Sequence, residues 1–211
     1  MFKLNQLFLK TFTPFFLGSL LISFYSAPAR AQFVGVFLEP MLTYQTGDGT
    51  TTWNAPLEKS TATLTGSGFG LRLGYHFLDT LFLAADARYS QPQWKSTTPD
   101  FTSRSTDINY GVTLGFQPPI VGLRFWGTYV LDGSLDPQES QNFDFRFKKS
   151  QGYRLGGGFS FILVSLNIEY QEIKTSDLEI ERAGSLAGLS GNNTELNSKV
   201  WIASLSIPFS F

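Results

Sequence analysis

The chain has 211 residues, with 16 Lys and Arg against 17 Asp and Glu, one His and no Cys. That balance gives no electrostatic reason to expect nucleic acid as a partner. Without Cys there is no disulfide framework, thiol nucleophile or thiolate metal site, and one His cannot build a multi-histidine metal centre.

The N-terminal segment comes first. Lys3 and Lys10 form a basic start, Thr11 to Tyr25 is mostly apolar, and Ala29-Arg30-Ala31 is a small-residue cleavage site. This is the layout of a cleaved signal peptide, with an apolar stretch too short to span a bilayer as a helix. The expected organisation is a signal peptide over 1–31 and one domain over 32–211. Removing three of the 16 basic residues and none of the 17 acidic ones leaves 13 − 17 = −4. No apolar run after residue 31 approaches helical spanning length, so membrane insertion requires a closed barrel.

A two-residue period then marks eight segments. Val34 to Tyr44 alternates, with Glu39 on the face opposite Val36, Leu38, Leu42 and Tyr44. Phe69, Leu71, Leu73, Tyr75 and Phe77 oppose Arg72 and His76. Leu81, Leu83, Ala85, Ala87 and Tyr89 oppose Asp86 and Arg88, and Ile108 to Phe116 sets Tyr110, Val112 and Leu114 against Asn109, Gly111 and Thr113. The fifth segment sets Val121, Leu123, Phe125 and Tyr129 against Arg124 and Trp126. The sixth and seventh set Tyr153, Leu155, Phe159 and Phe161 against Arg154, and Val164, Leu166, Ile168 and Tyr170 against Glu169. In the last, Trp201, Ala203, Leu205, Ile207, Phe209 and Phe211 share a face opposite Ser204, Ser206 and Pro208.

The connections near 78–80, 118–119 and 162–163 are tight, whereas those over roughly 45–65, 90–106, 132–150 and 171–199 read as long polar loops. Tracing the strands up and down places Tyr44, Tyr89, Tyr110, Tyr129, Tyr153, Tyr170 and Trp201 near the extracellular rim of the apolar face. Tyr75, Phe77, Phe116, Phe159, Phe161, Phe209 and Phe211 fall near the periplasmic rim. Two aromatic girdles, alternating strands and short turns at one end predict an all-β fold, an eight-stranded antiparallel transmembrane β-barrel. A water-soluble barrel with its faces reversed would need neither girdle and would not favour glycine on an exposed face.

Over the whole of 32–211 the chain resembles the eight-stranded outer-membrane barrels of the OmpA/OmpX type. The resemblance lies in architecture and in the terminal strand. It implies a cell outer-membrane location in a Gram-negative envelope, and Phe209 and Phe211 as an assembly signal read by the barrel-assembly machinery. Outer-membrane lipid and lipopolysaccharide are the expected surroundings, and the chain is expected to be a monomer.

Eight strands enclose a lumen narrow enough for side chains to fill. The inward charges are Glu39, Arg72, Asp86, Arg88 and Arg124 near mid-depth, with Arg154 and Glu169 nearer the outer rim. Lone charges there would be costly, so pairing is expected, with Glu39–Arg72–Asp86 as a ladder and Arg124 reaching across. One reading is a salt-bridged plug; the other is a narrow channel, porin-like or OmpW-like, for ions or small molecules.

No enzyme is expected and no cofactor is implied: His76 points inward at the periplasmic end, and no G-x-S-x-G elbow occurs. Phe143, Phe145 and Phe147 share the parity of Tyr153, which suggests that strands five and six continue above the membrane as a hairpin, either an ordinary extension whose aromatics pack on their neighbours or a protruding sticky edge for a surface ligand. Glu172, Asp177, Glu179, Glu181 and Glu195 read as a solvated acidic loop surface able to contribute to divalent cations held by lipopolysaccharide. The expected function is therefore that of an envelope structural and surface-binding protein acting through extracellular loops.

Overall fold

The computed structural model describes residues 34–52, 59–77, 80–97, 100–118, 122–139, 144–161, 163–182 and 194–211. The expected signal peptide lies outside the described residues, as does Phe143. The strands are β1 (Val34–Thr52), β2 (Lys59–Phe77), β3 (Leu81–Thr97), β4 (Asp100–Phe116), β5 (Leu123–Pro137), β6 (Asp144–Phe161), β7 (Val164–Arg182), β8 (Glu195–Ser206) and β9 (Phe209–Ser210). From β1 to β8 each pairs antiparallel with the next, and β1 closes the ring by pairing with both β2 and β8. β9 resumes the path of β8 on β1 in unbroken register, after an interruption at Pro208, which has no N–H to give to the ladder. The last residue is tied to the same edge: the Phe211 N–H donates to Val36 O at 2.8 Å. The result is a closed ring of eight strands, which leaves no free sheet edge.

The lower half of the wall has its apolar face outside. Leu42, Phe69, Leu73, Val112, Leu114, Phe125, Leu155, Leu166, Ile168 and Leu205 are all exposed. A band of this kind in water would lose on the order of 25 cal/mol per Å² of apolar surface, and lipid removes that cost. Tyr44, Tyr89, Tyr110, Tyr129, Tyr153 and Trp201 stand outward along its upper edge, with Tyr170 half-buried against Trp201 at 5.2 Å between ring centres. Tyr75, Phe77, Phe116, Phe161 and Phe211 stand outward along the lower edge.

The upper half corrects the expectation of long polar loops. The strands run on, and the connections at the top shrink to 53–58, 98–99, 138–143 and 183–194. In this upper storey the faces are reversed. Thr46, Asp48, Lys59, Thr61, Thr63, Gln93, Lys95, Thr102, Asn197 and Lys199 are exposed. Inside, Ala62, Leu64, Trp94, Leu135, Phe145, Phe147, Leu178, Leu196, Val200 and Ile202 form one buried cluster. It is packed like the core of a water-soluble barrel, polar outside and apolar within.

Two mechanisms produce the reversal. On β1–β4 and β8 the inward parity never changes; residues of the opposite kind simply occupy it, as in Lys59-Ser60-Thr61-Ala62-Thr63-Leu64. On β5–β7 the parity itself flips. β5 carries one extra residue, Leu131, between the pairs Tyr110↔Asp132 and Gly111↔Val130. Above that β-bulge its buried positions change from Arg124, Trp126, Thr128 and Val130 to Leu135 and Pro137. On β6 the change is from Arg154 and Ser150 to Phe147 and Phe145, and on β7 from Thr175 to Leu178. Because β6 and β7 shift together, their register stays in step from Ser150↔Thr175 to Lys148↔Asp177.

Of the two readings of the Phe hairpin, Phe145 and Phe147 follow the one in which the aromatics pack on their neighbours, and the exposed sticky edge is overturned for them. Phe145 and Phe147 are 3% and 0% exposed, with Trp94 stacked on Phe147 at 6.0 Å and edge-on to Phe145 at 6.5 Å. Counting parity from Tyr153 fails because Lys149, in the left-handed region at φ 57°, absorbs the phase change.

Candidate functional site

At mid-depth the lumen is crossed by a charge network to which all eight strands contribute. Glu39 on β1, Arg72 on β2 and Asp86 on β3 are direct cross-strand neighbours. Such pairs on one sheet face lie close enough to interact. Arg72 Nε donates to Asp86 Oδ2 at 2.8 Å, and its Nη1 lies 3.6 Å from Glu39 Oε2. Arg88, two residues along β3, forks onto the same carboxylate at 2.9 and 3.1 Å. Arg124 on β5 reaches across to Glu39, which also accepts from the Ser206 hydroxyl at 2.5 Å.

Arg154 and Glu169 do not stay near the outer rim as expected; they complete the cluster. Glu169 on β7 accepts from Arg72 Nη2 at 2.6 Å and lies 3.0 Å from Arg88 Nη2. Arg154 on β6 donates to Asp86 Oδ1 at 2.7 Å. The reason is geometric. Strands of a closed barrel tilt by about 35–45°, so residues at different positions along separate strands meet at one height. Seven ionisable groups thus gather, four guanidinium and three carboxylate, all 6% exposed or less.

Several members of the site escaped the sequence reading because they carry no formal charge. Trp126 donates its indole N–H to Glu169 at 2.7 Å, and the guanidinium carbons of Arg72 and Arg124 lie 4.5 and 5.0 Å from its ring centre. Such cation–π contacts gain when water is excluded. Asn167 accepts from Arg124 at 3.0 Å and donates to Ser204 and Ser206 at 3.1 and 2.9 Å. Asn109 and Gln171 accept from Arg154 at 2.6 and 2.7 Å. The signal available was parity: each lies on the inward face of its strand, alternating with a charge or a glycine. Two glycines make room for the site: a Cβ at Gly156 would stand 2.4 Å from the Trp126 ring, and one at Gly158 would stand 2.2 Å from Asn167 Oδ1.

Below the network is a vestibule of about 160 Å³ lined by Phe37, Glu39, His76, Phe82 and Arg124. His76 faces inward there, its ring 4.5 Å from that of Phe37 and 5.9 Å from that of Phe82. Above the network, among the described residues, lie cavities of about 20 and 10 Å³, room for a water molecule or so each. Beyond them stands the apolar cluster of the upper storey. Among the described residues no group of three or more His, Cys, Asp or Glu side chains is placed to hold a metal ion.

The acidic side chains expected to form a solvated loop surface stand on strands instead, most of them paired. Asp177 meets Lys149 at 3.0 Å, Glu195 meets Lys174 at 2.8 Å, Glu172 meets Lys199 at 3.4 Å, and Glu179 pairs with Lys148. The side chain of Glu181 lies outside the described residues.

Comparison with solved structures finds similar chains at low sequence identity. The outer membrane protein OprG from Pseudomonas aeruginosa matches at a TM-score of 0.57 and 15% identity, over 85% of this chain and 97% of that one. Neisserial surface protein A matches at 0.47 and 9%, over 82% and 97%. An outer membrane channel from Pseudomonas putida F1 matches at 0.32 and 11%, over 87% and 100%. A search of curated protein sequences finds no match. The family model described as the outer membrane protein beta-barrel domain matches residues 15–209. That span takes in every strand of the ring, and the chain belongs to the outer membrane protein beta-barrel domain family.

Proposed function

We propose that the protein is a non-enzymatic outer-membrane barrel with a closed lumen, whose work is done by the outer wall and top of a rigid storey standing above the membrane. One observation supports this reading: two features stand one above the other inside the ring, a charge network tied to all eight strands and an apolar cluster above it. An ion entering from below meets guanidinium and carboxylate groups already paired with one another, although Glu39 Oε2, Arg72 Nη1, Arg88 Nη1 and Glu169 Oε2 carry no hydrogen bond. One that passed would then meet Leu64, Trp94, Phe145, Phe147 and Leu196. The carboxylates of the site are engaged by arginines, and His76 packs against two Phe rings, an arrangement that favours structure over acid–base chemistry. Residues 1–31 would direct export, and Phe209 and Phe211 would serve the assembly machinery.

Recording from purified, refolded protein in planar bilayers tests the closed lumen. The expected trace shows no steady conductance, and stable porin-sized currents would instead establish the channel reading.

A further inference from the structure

The reversal on β5–β7 has an outward consequence at the height where lipid headgroups begin. On a regular strand two successive side chains point to opposite faces. The left-handed backbone at Lys149 breaks that rule, and Lys148 and Lys149 both stand outward, their side chains 43% and 70% exposed. With Arg146 they border an outer groove of about 360 Å³ whose floor includes Ile108 and Tyr110. Asp132, Gly133, Ser134 and Asp177 complete the lining. Ile108 and Tyr110 are the top of the lipid-facing surface of β4, while Lys148 lies one and two strands across from Ser134 and Ile108 in the same register. The groove therefore begins on the apolar band and climbs into three cations. The β5–β6 ladder is open beside it, with no pairs between Val130↔Gly152 and Ser134↔Lys148.

We propose that this groove binds the phosphorylated headgroup of an outer-leaflet glycolipid of the lipid A type. The acyl side would lie against Ile108 and Tyr110, and a phosphate would meet Lys148, Lys149 and Arg146. The lining carries three cations and two carboxylates, formal net +1. Asp132 is occupied by the Tyr110 hydroxyl at 3.0 Å and the Gly133 N–H at 2.8 Å. Lys149 is held by Asp177, Lys148 by Glu179 and Arg146 by Asp136. The two lysine pairs are solvent-exposed, and such pairs contribute little, whereas Arg146 is half-buried and donates twice to Asp136; a dianionic phosphate beside the membrane therefore competes first for Lys148 and Lys149. The proposal gives a partner to the outer wall to which function is assigned above, and does not depend on whether the lumen conducts.

The test is a titration of refolded protein in detergent micelles with bis-phosphorylated lipid A, read by native mass spectrometry. The combined variant Arg146→Gln, Lys148→Gln, Lys149→Gln should bind about tenfold or more weakly, with the folded band on a gel retained. Lys59→Gln with Lys95→Gln, on another sector of the wall, should bind as wild type. Asp177→Asn, which releases Lys149, should tighten binding and keeps the question open to refutation if the triple variant fails to fold. Lipid A stripped of phosphate should bind wild type no better than intact lipid A binds the triple variant. Equal affinity of the folded triple variant and wild type, equal affinity of the two probes, or no tightening in Asp177→Asn overturns the proposal. Displacement by millimolar inorganic phosphate would also overturn it, by showing a free-anion site rather than a headgroup site. Loss of binding in a barrel that still shows no conductance would leave the closed-lumen reading intact.

Discussion

Glu169 shows how much one buried carboxylate can hold. It faces Arg72, Arg88 and the Trp126 indole at once, with no exposure to solvent. Changing it to Gln keeps the shape but leaves four guanidinium groups against two carboxylates. Removing one partner of a buried pair costs about 3–5 kcal/mol, and Glu169→Gln should lower the urea midpoint of the refolded barrel accordingly. A midpoint within error of wild type would mean that water, rather than Glu169, neutralises the arginines. The neighbouring glycine tests packing without charge: Gly156→Val drives a side chain into the Trp126 ring and should cost about 1–3 kcal/mol by overpacking. At this scale the charged members could be named from parity alone. The uncharged ones could not, because nothing local distinguishes Asn167 as a bridge between Arg124 and the β8 serines.

At the scale of a strand, β6 carries two environments on one continuous element. Phe159 and Phe161 stand on the lipid band at 45% and 67% exposure, while Phe147 is wholly buried fourteen residues above Phe161 along the same strand. In the water-facing storey the ordinary rules of a globular core apply. Phe147→Ala should therefore cost about 3–5 kcal/mol through lost burial and the cavity beside Trp94. Phe159→Ala removes no interior contact and should have a much smaller effect on the same denaturation midpoint. If the two variants shift it equally, the upper storey is not a packed core. The alternation of the lower strands could be read directly, as could the continuation of β2, in hindsight, from Thr61-Ala62-Thr63-Leu64. The flip on β5–β7 could not, because a bulge depends on how many residues the neighbouring strand offers.

The molecule as a whole is a barrel with two solvents. Its lower exterior suits hydrocarbon and its upper exterior suits water, so an identical substitution should be judged differently at the two levels. Val112→Arg, in the middle of the apolar band of β4, should destabilise the folded protein in bilayers by about 2–4 kcal/mol. Thr63→Arg, exposed above the tyrosine girdle, should change stability by less than about 0.5 kcal/mol. Equal costs would refute the assignment of the band to the membrane. Period-two alternation with aromatic ends was enough to establish a closed spanning ring and which face meets lipid, because side-chain direction along a strand is a local property of the chain. The meeting of Arg154 and Glu169 with Asp86 and Arg72, and the burial of Phe145 and Phe147, were decided only by the assembled barrel. Strand tilt sets which residues share a height, and a phase change carried in step across three strands sets which face each residue takes; neither quantity exists in a strand by itself.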